Sequence, residues 1–186
     1  MVEQATPLTR FLPSHTFYER HEAPVAGASS AHIIDAVASL DMRSDPVIDG
    51  LLHLREWPDR LVRRMHAKPY VSFGFGTFTL LQRDDHELSL GLAGRFWRPD
   101  FGLLEVADAD AFAALVRPDV AKLVLRFRVA TLGQGNARLV TETFVHCPSW
   151  RTKAMMTPYW FAIRASSGWI RRRTLAMVVK ALTVQP

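Results

Sequence analysis

Cysteine occurs once, at Cys147, so the chain can build neither an internal disulfide framework nor a four-cysteine zinc site. No apolar run approaches the roughly 18 residues that a bilayer-spanning helix requires. The opening stretch, MVEQATPLTRFLPSH, lacks the charged-then-apolar order of a secretory signal, and a cytoplasmic location is the resulting expectation. Lysine is scarce, with 4 Lys against 19 Arg. Acid is missing altogether from residues 149–186. That segment carries Arg151, Lys153, Arg164, Arg171, Arg172, Arg173 and Lys180, a charge of +7. The chain as a whole is only +5, so residues 1–148 hold 16 basic and 18 acidic groups, a net of −2.

What is present is ordinary for a globular protein. The chain has 186 residues, 48% hydrophobic and 22% charged, which fits one domain and excludes a disordered or collagen-like chain. The sequence pI of 9.9 raises nucleic acid, a membrane surface or an anionic ligand as partners. A solvated helix face accounts for the same charge, and cations late in a helix also complement its dipole.

Residues 1–16, with Pro7 and Pro13, read as an N-terminal arm, and residues 17–186 as a single domain. Phe17 to Val25 alternates as a first strand. Ser29 or Ser30 caps a helix through Leu40, with Ile33, Ile34 and Val37 on one face. Asp45-Pro46 starts a second helix, and Asp59 caps a further turn or two. The period then changes to two. Strands are expected over Tyr70–Arg83, Glu87–Trp97 and Phe101–Val106, and a short helix capped by Asp108 or Asp110 follows. Ala121–Leu132 and Arg138–His146 form a hairpin across Gly133-Gln134-Gly135-Asn136. Alternation with one polar face predicts one-sided burial. A final helix contains Pro158, which should bend it, and Ser166-Ser167-Gly168 marks a break. The expected class is α+β, with a curved antiparallel sheet wrapped around a long, kinked C-terminal helix that covers its apolar face.

Four stretches occur together in order: GLAGRFWRPD (Gly91–Asp100), KLVLRFRV (Lys122–Val129), RLVTETFV (Arg138–Val145) and PYWFAIRASSGWIRRRTL (Pro158–Leu175). Together they resemble a bacterial group in the START/polyketide-cyclase-like (SRPBCC) superfamily, over roughly residues 17–182. The resemblance implies the helix-grip fold and a deep, largely apolar cavity between sheet and C-terminal helix. Members bind lipids, sterols, polyketides or similar molecules, and some are cyclases, dehydratases or hydrolases. The chain departs from the group after Thr143, where a basic residue is common and Phe144 stands instead. An outward Phe144 would expose an aromatic ring.

The inferred inward faces nominate a pocket lined by Phe73, Phe78, Leu90, Leu92, Phe96, Leu125, Phe127, Thr141, Thr143, Met155, Tyr159 and Ile163. Thr141, Thr143 and Tyr159 supply its hydrogen bonds. Ordinary core packing is the competing account of each. Arg95 sits where a cavity mouth could hold a carboxylate, or it pairs with Asp100, Glu105 or Glu142. Arg171 pairs with Glu142 or meets an anionic head group, and Arg172 and Arg173 complete the basic contact surface. The seven His residues include no His-Glu-x-x-His and no pair four apart on a helix face, so no metal site is expected. His146 and Cys147 are strand neighbours pointing to opposite faces, which argues against a Cys–His catalytic pair. Gly74-Phe75-Gly76 lacks the remainder of a dinucleotide fingerprint, and no cofactor is expected.

The leading expectation is therefore binding of a hydrophobic small molecule without catalysis. A cyclase or dehydratase of the same fold, and a basic peripheral membrane protein with a filled core, are the alternatives. Partners are the small molecule and an anionic membrane surface. Nucleic acid is disfavoured, because no strand shows the exposed aromatic pair of a single-strand platform.

Overall fold

A computed structural model of the chain describes residues 9–40, 77–133 and 136–184. In chain order these contain β1 (Phe17–Ala26), α1 (Ser30–Ala38), β2 (Thr79–Arg83), β3 (Glu87–Gly94), α2 (Ala109–Ala114), β4 (Ala121–Gly133), β5 (Asn136–His146) and α3 (Trp150–Val184). The strands form one sheet in the order β1-β5-β4-β3-β2, with every neighbouring pair antiparallel. The class is α+β, a five-stranded antiparallel sheet with a long C-terminal helix against one face, as in a helix-grip fold. Ser29 caps α1 by accepting from the His32 backbone N–H, and Asp108 caps α2 through Ala111. The helices expected from Asp45 and Asp59, and the first half of the strand expected over Tyr70–Arg83, lie outside the described residues.

Strand alternation sets two faces. The inner face carries Leu88, Leu90, Leu92, Phe127, Val129, Leu139 and Val145. It packs on Ile33, Ile34 and Val37 of α1 and on Met156, Trp160, Leu175 and Val178 of α3. The outer face is also buried, which corrects the expected one-sided burial. Phe11 and Leu12, from the stretch read as a leading arm, join Phe112 of α2 over Leu81, Val124 and Phe144. Small residues on β3 make the room. A Cβ on Gly91 would come within 2.9 Å of both Leu81 and Phe112. Phe144 does face outward but is fully buried, with Tyr18 and His15 against its ring and the Arg126 guanidinium 5.0 Å above it.

Two further expectations are corrected. Phe101–Val106 is not a strand, because Phe101 and Gly102 take left-handed backbone and only Leu104 bridges to Ala93. The C-terminal helix is not broken at Ser166-Ser167-Gly168. It runs as one helix through Pro158 and Gly168 to Val184.

The outer face buries one acid. Glu142 is 1% exposed; it accepts from the Tyr18 hydroxyl at 2.7 Å and from Arg126 Nε and Nη2 at 3.0 and 2.7 Å. Burial, then the hydrogen bond to Glu142, pushes the Tyr18 phenol up to about 12. Replacing Glu142 with Leu would strand Arg126 in that network. We expect a loss of about 3 kcal/mol in urea unfolding, with much of it recovered when Arg126→Leu is added. A single variant as stable as wild type would mean the network does not hold this face together.

Candidate functional site

The inner face is not uniformly apolar. Its buried side chains fall into two clusters, one around Leu88, Leu90, Phe127 and Leu139, the other around Leu92, Phe96, Val145 and Trp160. Polar residues cross the sheet between them. Register places Glu19 opposite Thr143 and His21 opposite Thr141, and on the other side of β5 it places Leu125 and Phe127 opposite the same two threonines. Residues two apart on a strand share a face, so Glu19, His21, Thr141 and Thr143 all point towards α3.

From α3, Arg171 reaches down to complete the group. Its Nη1 donates to Glu19 Oε2 at 2.5 Å, and His21 Nε2 lies 2.9 Å from Glu19 Oε1. The Arg171 and Glu19 side chains are only 13% and 9% exposed. Burial alone would raise the Glu19 carboxyl, but Arg171 and His21 outweigh it and hold the carboxyl below its ordinary 4.5. The helix approaches β1 closely here, because a Cβ on Gly168 would meet Glu19 Oε1 at 2.9 Å. Thr141 and Thr143, at 0% and 1% exposure, keep hydroxyls with no hydrogen-bond partner among the described residues. Such groups normally find one.

Of the sequence-predicted lining residues, Leu90, Leu92, Phe96, Phe127, Thr141 and Thr143 are buried, and Phe78, Leu125, Tyr159 and Ile163 are half-buried. Phe73 lies outside the described residues. Met155 is a correction: it is 53% exposed on the outer side of α3, and its neighbour Met156 faces the sheet instead. Arg95 pairs with Asp119, which none of the expected partners anticipated, and Arg95 with Arg117 holds the Asp119 carboxyl down at about 2. Arg171 pairs with Glu19 rather than Glu142. Arg172 is exposed, and Arg173 lies over the Trp169 ring at 5.0 Å.

Sequence reasoning did not single out Glu19 and His21. Their signal is Glu-x-His on an alternating strand, a spacing of two that the helical patterns of histidine do not cover. Cys147 and His146 do diverge: His146 Nδ1 meets Ser14, and burial pushes the Cys147 thiol up to about 11. Among the described residues no three His, Cys, Asp or Glu side chains gather as metal ligands.

Hollows lie away from this belt. One, of about 530 Å³, runs between His32, Asp35 and Ser39 of α1, Arg83, and Leu182 of α3. A smaller one, of about 120 Å³, lies on the outer side beside Lys122 and His146. There Lys122 donates to the Ala113 and Leu115 carbonyls at the end of α2, and burial lowers its pKa.

No protein-family model matches the chain, and no curated protein matches it in sequence. Among solved structures it is similar to a hypothetical protein from Helicobacter pylori, at 10% identity over 97% of this chain and 98% of that one, with a TM-score of 0.42. It is also similar to the di-domain ARO/CYC BexL from the BE-7585A biosynthetic pathway, at 14% identity over 92% of this chain and 48% of that one, with a TM-score of 0.37. Likenesses this distant carry no argument about ligand or reaction, so the site is read from its own residues.

Gly168 and Glu19 yield two predictions. Gly168→Ala should forgo the helix-propensity gain of about 1 kcal/mol and instead lower the melting temperature, because the methyl group collides with a pinned carboxylate. A raised melting temperature would refute the close approach. The Glu19 pKa is lower in the folded state than in the unfolded state. The pair therefore contributes fully above the ordinary carboxylate range and is lost as pH falls through the depressed value. The stability advantage of wild type over Glu19→Gln should shrink between about pH 7 and pH 3. A constant difference would show that the pair is energetically silent.

Proposed function

We propose that the inner face beneath α3 binds a hydrophobic small molecule that carries a hydroxyl or carbonyl group. The observation that carries this reading is the pair of unpartnered hydroxyls, Thr141 and Thr143, in a polar belt with apolar clusters on either side. A buried hydroxyl without a partner is unfavourable by about 1–3 kcal/mol, a cost that a ligand oxygen would offset. Further support comes from Leu123 and Leu125, which face inward from the central strand β4 yet are only partly buried. In the bound state the apolar body lies over Leu125 and Phe127, and its oxygen meets the two threonines.

A second reading is a cyclase- or dehydratase-type enzyme at the same place. It is favoured by the Glu19–His21 pair. A carboxylate 2.9 Å from an imidazole nitrogen orients the ring. Such a histidine can take a proton from carbon next to a carbonyl.

Native mass spectrometry of the purified protein, followed by titration with 2-naphthol, tests the binding reading. Wild type should carry or take up one molecule per chain. Thr141→Val combined with Thr143→Val should weaken 2-naphthol binding about tenfold while raising the stability of the empty protein by about 1 kcal/mol. Unchanged affinity in that variant would remove the threonines from the site, and no uptake by wild type would remove the reading. For the enzymatic alternative, His21→Asn should leave binding intact and abolish turnover.

A further inference from the structure

The outward side of α3 carries a continuous stripe. Trp150, Ala154, Pro158, Phe161, Trp169, Arg172, Ala176 and Lys180 follow one another at spacings of three, four or eight, which keeps them on one line of an α-helix. The large apolar members are in water: Trp150 is 75% exposed, Phe161 64% and Trp169 39%, and Met155 beside them is 53% exposed. Other members and flanking positions are exposed too, including Arg151, Lys153, Pro158, Ala162, Arg164, Arg172 and Lys180. Exposed aromatics and exposed cations alternate along the whole helix, and residues 149–186 contain no acid. Arg151 and Arg173 lie over the Trp150 and Trp169 rings at 5.6 and 5.0 Å, so cation and aromatic are presented together.

We propose that this side of α3 docks on the surface of an anionic lipid bilayer. The chemistry of the stripe matches that surface part by part. Indole and phenyl rings settle at the headgroup level, long cationic side chains reach lipid phosphates, and the absence of acid removes repulsion along the helix. The helix lies on the surface rather than crossing it, and no helix among the described residues is long and apolar enough to cross a membrane. An acidic protein or a nucleic acid would use the cations but has less use for exposed tryptophan and phenylalanine at helical spacing. The proposal is independent of the inner site, since it rests on residues facing the opposite way.

The full chain should sediment with vesicles containing phosphatidylserine, and with phosphatidylcholine vesicles alone much less. Raised salt should weaken the attachment. Arg172→Gln with Lys180→Gln should weaken it roughly tenfold at low salt. Trp150→Ser with Phe161→Ser should weaken it at least as far without lowering the melting temperature, because both rings are already in water. Three results would overturn the proposal. One is no sedimentation of wild type with anionic vesicles. Another is an aromatic variant that binds them as wild type does. The third is a duplex oligonucleotide bound more tightly than the vesicles and indifferent to the aromatic substitutions. Loss of 2-naphthol binding with vesicle attachment intact would count against the inner site alone.

Discussion

Arg171 and Glu19 determine how α3 sits on the sheet. The helix meets β1 where Phe17 stacks on Trp160, and again where Gly168 leaves room for the Glu19 carboxylate and Arg171 reaches over it. A mostly buried guanidinium cannot leave its carboxylate without losing both solvent and partner, so the pair locks the rotation of the helix. That rotation sends Met156, Trp160, Leu175 and Val178 to the sheet and leaves Trp150, Met155 and Phe161 outside. Both surfaces of the helix therefore follow from how it is held against β1.

The sheet needs its own outer cover for the same helix to be useful. If the outer face were wet, β4 and β5 would have to satisfy water on one side with Val124 and Phe144. Instead Phe11, Leu12 and Phe112 close it, and Glu142 accepts from Tyr18 and Arg126, so that each of its carboxylate oxygens has a donor. One donor beside it, Arg128 Nε at 3.9 Å, is left without a hydrogen bond among the described residues. The inner belt leaves more open. Its ion pair is satisfied, but two of its hydroxyls are not.

Much of the fold was legible because strand alternation and caps are local signals. The Ser29 cap, the registers of β4 and β5, and the inward facing of Phe127, Thr141 and Thr143 all follow from spacing. What failed depended on tertiary contact. Met155 and Met156 have identical hydropathy, so periodicity alone could not choose between them, and Pro158 blurs the phase further. Gly168 reads as a helix breaker until the strand beneath it is known. Phe144 looks exposed by alternation, because nothing in β5 reveals that the N-terminal arm and the short helix α2 cover that face. Gly91 and Ala93 were the local hint, since small residues on one face of a strand make room for a layer above. Glu19 and His21 are two apart, the spacing that matters on a strand, and the site became visible only when that period replaced the helical one.

The inner belt is difficult to explain as a stabilising device. A mostly buried Arg–Glu pair at best roughly balances its desolvation, and apolar side chains of similar volume commonly do as well or better. Thr141 and Thr143 add hydroxyls that isosteric valines would replace without leaving a polar atom unpaired. The neighbouring inner positions show that apolar residues are accommodated on this face, since Leu139 and Val145 flank the same two threonines on β5. The polar groups are also concentrated rather than scattered: they occupy adjacent positions on two paired strands and one turn of helix. Arrangements that are expensive, local and convergent are what recognition of a polar group in an apolar setting requires.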